Sequence, residues 1–354
     1  MKSIVITIFI SIICILIVYM MCKCDTYDTY INPQLLDDIP NIPIDLVYTW
    51  VDQNDPDRIK YQKMLLKTKD ENLDARRYSE NQELKYSIRS VQKNCPWIRK
   101  IYIVVKDGQS PKFLDFTNPR IQLVNHSEIM PHTALPSFNS VAIECCLHKI
   151  KGLSEYYMYM NDDFFIMKPV KKSDFIAYRN NKILPYINKP LENTYKLEYK
   201  DEEIHSYGRM FMNTVVLANK ITNQNLYPNI NVVHVPTFCY KPWEEDLEKI
   251  LRSIKHKDSD LWTYTAHCKF RTNDNVAING CLRPIFYIYK GAIPTTSDPH
   301  NIDIYLYKDK CDTDYSLDKA QFMCVNRIDD ECRDVFKKFI TSIFNQKSIF
   351  EKYS

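Results

Sequence analysis

Asn161, Asp162 and Asp163 close an apolar and aromatic run, Tyr156-Tyr157-Met158-Tyr159-Met160. Two adjacent carboxylates repel each other unless a cation or a hydrogen-bond donor stands between them. At the carboxyl end of a strand, where open α/β sheets bind ligands, they offer hard oxygen ligands. Mg²⁺ is held by one or two carboxylates plus substrate phosphates, so the pair suggests a metal-assisted reaction on a phosphorylated substrate. Three further sets carry reactive groups: Asp52, then Glu83 with Arg89, then His234 with Arg271. Each has a plainer reading on its own. An Asp after a strand caps a turn, Glu83 and Arg89 fit a solvated helix face, His234 before Val235-Pro236 fits a hydrogen-bonded structural role, and Arg271 has Asp274 within reach.

These groups need a scaffold. Asp45–Val51 reads as a buried strand ending at Asp52, with Asn54-Asp55-Pro56 as a turn. Ser79-Glu80-Asn81-Gln82 has the form of a capping box, and Leu84, Ile88 and Val91 follow at helical spacing up to Pro96. Lys100–Val105 and Ile121–Val124 read as strands, with Lys106-Asp107-Gly108 as a loop between them. Ser140–Lys149 reads as a helix leading into the strand that ends at Asp162. Alternating strands and helices predict an α/β fold with a mainly parallel sheet flanked by helices. Residues 178–231 lose this pattern and read as an insertion with a helix over Gly208–Asn219. Trp243–Ile254 and Asp329–Lys347 read as later helices.

Residues 1–24 read differently. Ile4–Cys22 is apolar apart from Thr7 and Ser11 and can cross most of a bilayer core of about 30 Å. No small-residue cleavage site follows, which favours an uncleaved transmembrane signal anchor over a signal peptide. Lys2 before the run sets the short end in the cytosol and the remainder across the membrane. Residues 25–43, with Pro33, Pro40 and Pro43, read as a stalk, and 44–354 as the folded catalytic body.

Composition excludes several classes. A net charge of +3, from 47 basic and 44 acidic residues, gives no concentrated basic face for nucleic acid. The 5 glycines are too scattered to build a dinucleotide or P-loop cradle, so a bound phosphate needs Arg, Lys, His or a metal. Apart from Cys14, Cys22 and Cys24 in the apolar run or at its edge, the other nine of the 12 cysteines lack paired C-x-x-C sets, which argues against structural zinc. Cys311, Cys324 and Cys332 leave room for one disulfide, against the commoner state of buried free thiols. Asn125-His126-Ser127 is a sequon, weakly consistent with secretory routing.

The stretch from Ile44 to Asp52 with Asp55-Pro56 resembles the first conserved block of the Stealth family. That family includes bacterial capsular polysaccharide phosphotransferases and the animal N-acetylglucosamine-phosphotransferase. Its second block is matched more densely, from Asn81-Gln82-Glu83 through Pro96-Trp97-Ile98-Arg99, Asn118-Pro119-Arg120 and Leu135–Ser140 to Ala142-Ile143-Glu144 and Met160–Phe165. Arg209 with Asn213, His234-Val235-Pro236, Phe270-Arg271 and Phe322–Asn326 extend the likeness more thinly, and Arg327 stands where the family carries Asp after Asn.

The resemblance implies a Rossmann-type, nucleotide-sugar-transferase-like fold and a divalent metal, Mg²⁺ or Mn²⁺. It implies transfer of a sugar phosphate from a nucleotide-sugar donor to a hydroxyl of a glycan or polysaccharide acceptor, with release of a nucleoside monophosphate. On that reading Asp162 and Asp163 hold the metal, while Arg271 and Arg209 grip phosphate. His234 or Asp163 is the base, and Asp52, Glu83 and Arg89 hold the donor or orient its ligands. Two rivals stand beside it: a metal-dependent glycosyltransferase releasing nucleoside diphosphate, and an inactive membrane-anchored protein that binds glycans through its 25 Tyr and 4 Trp.

Overall fold

The computed structural model describes residues 41–65, 81–179, 182–188, 191–192, 206–224, 230–231, 234–295, 301–306, 311, 313, 317 and 319–352. The expected anchor over residues 1–24 lies outside them, as does nearly all of the expected stalk. Among the described residues no helix is long and apolar enough to cross a membrane.

Five strands form the central sheet: β1 (Ile44–Thr49), β2 (Ile101–Val105), β3 (Ile121–Asn125), β4 (Tyr156–Asn161) and β6 (Thr237–Tyr240), in the order β6-β4-β1-β2-β3. The first four in sequence run parallel, with Thr49 opposite Asn161 and Val105 opposite Asn125. Their carboxyl ends therefore share one edge, as the sequence pattern predicts. Both faces are covered, which is why β1 and β2 read as unbroken apolar runs rather than alternating ones. Val47, Tyr102, Val104, Tyr157 and Tyr159 enter one core with most of the helices. Leu46, Tyr48, Ile101, Ile103, Met158 and Met160 enter the other.

The helix expected before β2 is α2 (Glu83–Asn94), which follows a short α1 (Pro56–Leu65). Its Leu84, Ile88 and Val91 stripe packs on the second core. The capping box does not form as read: Gln82 is the N-cap itself, in the left-handed region at φ 66°, with no side-chain cap bond. Ser79 lies outside the described residues. The helix expected over 140–149 is shorter, α3 (Ser140–Glu144), followed by a 3₁₀ turn at Leu147–Lys149.

β6 runs antiparallel to β4, with Thr237 opposite Tyr159. Its direction brings the preceding His234-Val235-Pro236 to the edge where β4 ends. A second sheet joins β5 (Phe164–Ile166), β7 (Asn301–Leu306) and β8 (Phe322–Ile328), with Cys324 opposite Phe164. Asp163 thus stands at the junction of two sheets, its carbonyl accepting from the Val325 N–H at 3.0 Å.

Within residues 178–231 the structure shows α4 (Ser206–Thr222), whose Met210, Val215 and Ala218 belong to the first core. That core also takes in α5 (Lys241–Ser253), α6 (Leu261–His267) and α7 (Arg283–Tyr289). The last helix, α8 (Arg333–Ile343), is trimmed from the expected span by a 3₁₀ turn at Asp330–Cys332. Cys311 and Cys332 form the disulfide that the late cysteines allowed, while Cys324 is a buried free thiol.

Arg89 stands apart from the position expected of a donor-binding group. Its Nε and Nη2 each donate to Glu351 at 2.7 Å and its Nη1 to the Phe344 carbonyl at 2.9 Å, with both ion-pair partners buried. An arginine on the inward face of α2 meets a carboxylate 262 residues later, and the pair fastens the end of the chain to the core.

Candidate functional site

A cleft of about 300 Å³ opens at the carboxyl edge of the central sheet. One side is built by the end of β4 and by α3: Asn161, Asp162, Asp163, Ser140 and Arg271. The other is built by the ends of β1, β2 and β3 with the start of α1: Trp50, Asp55, Lys106, Gln109 and His126. Parallel register alone brings these strand ends together.

On the β4 side the acids crowd one another. Burial, reinforced by Glu83, pushes Asp163 up to about 7, against the pull of His234. Burial, reinforced by Asp162, pushes Glu83 up to about 8, although Asn81 donates to it from its backbone and, at 2.7 Å, from its side chain. Asp163 Oδ2 meets the Cys324 thiol at 3.8 Å. Its Oδ1 is buried and has no hydrogen-bond partner among the described residues. A buried carboxylate oxygen without a donor is costly, and a cation relieves that cost.

Arg271 enters from the loop beyond α6, and its Nη2 donates to Ser140 Oγ at 3.0 Å. Asn139 braces that loop, its amide donating to the carbonyls of Cys268 and Phe270 at 3.1 and 3.3 Å. Glu144, on α3, is buried and accepts from Tyr159 Oη at 3.4 Å and from the Asn279 N–H at 3.3 Å. Burial raises its carboxyl, with Arg283 and Arg271 opposing. Tyr159 Oη also lies 2.8 Å from Asn161 Oδ1, so its single hydrogen is shared between Glu144 and Asn161, with the shorter contact to Asn161. A continuous polar chain therefore runs from Glu144 to the residue beside the acid pair.

The structure brings Asp162, Asp163 and Arg271 to one cleft. Glu83 does not line the cleft but feels the charge of Asp162, and Asp163 feels those of Glu83 and His234. The His234 ring is exposed, 6.2 Å from the Phe164 ring, and does not line the cleft. Arg209 lies one turn of α4 before Asn213, whose amide donates to the Asn273 carbonyl at 3.1 Å, two residues from Arg271. Asp52 is engaged in the turn after β1: its Oδ1 accepts from the Asn54 N–H at 2.9 Å and its own N–H donates to Gln109 Oε1 at 3.1 Å. Asp52 and Arg89 do not line the cleft.

Asp55, Lys106, Gln109, His126 and Glu144 went unassigned in the sequence reading. Asp55 read as a turn residue and His126 as the middle of a sequon. Besides its place in the second family block, the signal for Glu144 is a carboxylate inside the otherwise small and apolar run Val141-Ala142-Ile143 and Cys145-Cys146.

Among the described residues no three His, Cys, Asp or Glu side chains stand close enough to form a complete metal cage. The residues nevertheless suit a hard cation bound partly by substrate. Asp163 offers an unsatisfied oxygen, Asp162 lies beside it on the cleft, and Mg²⁺ takes one or two carboxylates with phosphate oxygens.

Residues 43–60 match Stealth protein CR1, conserved region 1, and residues 77–184 match Stealth protein CR2, conserved region 2. The capsular polysaccharide phosphotransferase SacB of Neisseria meningitidis serogroup A is 32% identical over 330 residues, 88% of this chain and 57% of that protein. An exopolysaccharide phosphotransferase of Streptomyces coelicolor is 33% identical over 72% of this chain and 41% of its own length. The chain thus spans about half the length of these curated relatives. The solved galactosyltransferase LgtC, in complex with donor and acceptor sugar analogues, aligns over 84% of this chain at 11% identity and a TM-score of 0.40, a likeness that carries no argument.

Proposed function

This chain is a Stealth protein, and from that premise we propose that it transfers a sugar phosphate from a nucleotide-sugar donor to a glycan hydroxyl, in the synthesis of a polysaccharide or a glycoprotein glycan. The observation that carries the reading is one cleft lined by the carboxylates of Asp162 and Asp163 and by the guanidinium of Arg271. A diphosphate bound there has cation-binding oxygens at one end and a planar fork of donors at the other.

In this reading Arg271, oriented by Ser140 Oγ, binds the non-bridging oxygens of the sugar-bearing phosphate. Arg209 supplies a further cation from α4. Asp162 and Asp163 would hold a divalent cation, which would neutralise charge on the phosphates. Glu83 orients the acid pair from behind. Asp52 orders the turn that frames the donor. The acceptor oxygen attacks the sugar-bearing phosphorus. The bond from that phosphorus to the bridging oxygen breaks, and its electron pair leaves with the nucleoside monophosphate. The hydroxyl proton passes to one of two candidate bases, His234 or Asp163, whose charges act on each other. Positioning and charge stabilisation account for most of such a reaction. The membrane anchor over residues 1–24 belongs to this reading too, with the catalytic body on the translocated side.

The test is incubation of the full chain with a panel of nucleotide-sugars, a glycan acceptor, and Mg²⁺ or Mn²⁺. A phosphodiester-linked product that forms only with metal supports the reading. Turnover of no donor, with glycan binding retained, refutes it in favour of a binding protein.

A further inference from the structure

The second wall of the cleft carries its own pattern of unmet hydrogen-bonding need. Trp50 Nε1, Asp55 Oδ2 and His126 Nδ1 are all buried, and none has a hydrogen-bond partner among the described residues. Asp55 and His126 are 2% and 4% exposed, so solvent does not readily satisfy them. All three residues line the same cleft as Asp163. Buried polar atoms without a partner call for an explanation. Such atoms also occur away from the cleft, Trp262 Nε1 and Thr265 Oγ1 among them, and these three stand apart because their residues line one cleft together, which points to a ligand.

The wall is rigidly built. The Trp50 N–H donates to the Val104 carbonyl at 3.0 Å, which ties it to β2. Asp55 Oδ1 is fully engaged, accepting from the Asp57 N–H at 3.0 Å and from Lys106 Nζ at 2.9 Å. Only the second carboxylate oxygen is left for something else. Gln109 is fixed by the Asp52 N–H at 3.1 Å. Burial brings His126 down to about 4, so its ring is neutral near pH 7, with one nitrogen donating and the other accepting.

Charge decides what kind of ligand fits. The lining cation of this wall, Lys106, is already held by two carboxylates, Asp55 at 2.9 Å and Asp57 at 2.8 Å. Among the described residues that line this wall no further positive charge is left over for a phosphate, and a carboxylate oxygen that needs a donor repels one. A donor from Trp50, a charged acceptor from Asp55 and a neutral imidazole suit hydroxyl groups, each of which both gives and takes a hydrogen bond.

We propose that Trp50, Asp55 and His126 form a polyol subsite, which binds a vicinal diol of the donor while Asp162, Asp163 and Arg271 hold its phosphates. The inference rests on the functional reading above. The diol has two sources, the ribose of the nucleotide and the ring of the transferred sugar. Either one bridges the two walls, so that the uncharged part of the donor sets how its diphosphate is placed.

Equilibrium binding by the full chain separates the sources. The probes are uridine, cytidine and guanosine 5′-monophosphates, their 2′,3′-dideoxy counterparts, N-acetylglucosamine 1-phosphate and glucose 1-phosphate, each with Mg²⁺. Trp50→Phe keeps the ring and removes the donor, and Asp55→Asn keeps the Oδ1 acceptor. Each is expected to weaken the bound class about tenfold, the usual cost of a lost hydrogen bond to a buried partner. If ribose is the ligand, the loss disappears when the dideoxy nucleotides are the probe. If the sugar is the ligand, the loss is confined to the hexose phosphates. Wild-type protein that binds neither class, variants that bind as wild type does, or a loss equal for nucleotides and their dideoxy forms and also present for hexose phosphates would overturn the subsite. Turnover with an unchanged KM in both variants removes the subsite and leaves the proposed reaction standing. Diol-dependent binding without any phosphodiester product does the reverse.

Discussion

Two buried polar clusters, linked through Asn279, Glu144 and Tyr159, solve the same problem in opposite ways. Around Arg283, every charge is answered. Its Nε and Nη2 donate to Glu244 at 2.7 and 2.9 Å, its Nη1 donates to Asn279 Oδ1 at 2.7 Å, and Tyr287 donates to Glu244 at 2.6 Å. Burial works to raise Glu244, yet Arg283 and Tyr287 leave it below its usual range. In the cleft, by contrast, Asp163 and Glu83 are pushed up by burial and by neighbouring acids, and Asp163 keeps an unanswered oxygen. The first cluster is complete without a ligand. The second is complete only with one. Burial of charge alone does not mark a functional site; an unanswered carboxylate lining a cleft is the sharper sign.

The widest separation between the two clusters is expected in stability. Arg283→Ala leaves Glu244 buried and alone, and is expected to cost about 3–5 kcal/mol in denaturant unfolding. Arg89→Ala, which strips Glu351 in the same way, belongs with it and is expected to leave donor KM unchanged once the protein is kept folded. An apolar pair in place of both Arg283 and Glu244 is expected to recover most of the loss, because the desolvation cost of the pair goes with it. If the single variant costs less than about 1 kcal/mol, the Arg283 knot is not structural in the sense drawn here.

Asp163→Asn is expected to do the opposite. Turnover falls about 10²–10³-fold, the usual cost of one preorganised electrostatic group. Stability holds or rises, since a carboxylate that neighbouring acids repel has been neutralised. A destabilised but active Asp163→Asn would erase the contrast. Arg271→Lys keeps the charge and loses the fork, and about a tenfold fall in kcat/KM is expected, with unfolding unchanged.

The smallest effect concerns acid. His148, Lys149 and Arg252 surround Glu248 at 2.7, 2.9 and 2.8 Å and, against the effect of burial, bring it down to about 2. A depressed folded-state value means the stabilisation is complete above the ordinary value of 4.5 and is lost as pH falls towards about 2. Screening at this partly exposed site limits it to about 1 kcal/mol. Unfolding titrated between those pH values is expected to show the slope in wild type and not in Glu248→Gln.

Much of the scaffold was legible in the chain itself. Strands buried on both faces leave long apolar runs, and β1, β2 and β4 stand where those runs lie. The acid pair was legible because its end-of-strand position is local. What was not legible depends on partners far away in sequence. Arg89 reads as a surface residue until Glu351 is placed beside it, and His234 reaches Asp163 only because β6 runs backwards along β4. Gln82 takes the N-cap because the chain enters α2 through a left-handed residue, a choice that a capping-box pattern does not reveal. Asp55 and His126 carried no assigned role because an unmet hydrogen bond is a property of packing and not of residue type.

The central claim is that the cleft cleaves a donor between its two phosphates. It is tested most directly by ³¹P NMR on a complete reaction, with the donor's sugar-bearing phosphate isotopically labelled. The account predicts that the labelled phosphorus appears in a diester on the acceptor, while the other remains as nucleoside monophosphate. Both phosphorus atoms remaining together in a nucleoside diphosphate, with the bare sugar on the acceptor, would contradict it.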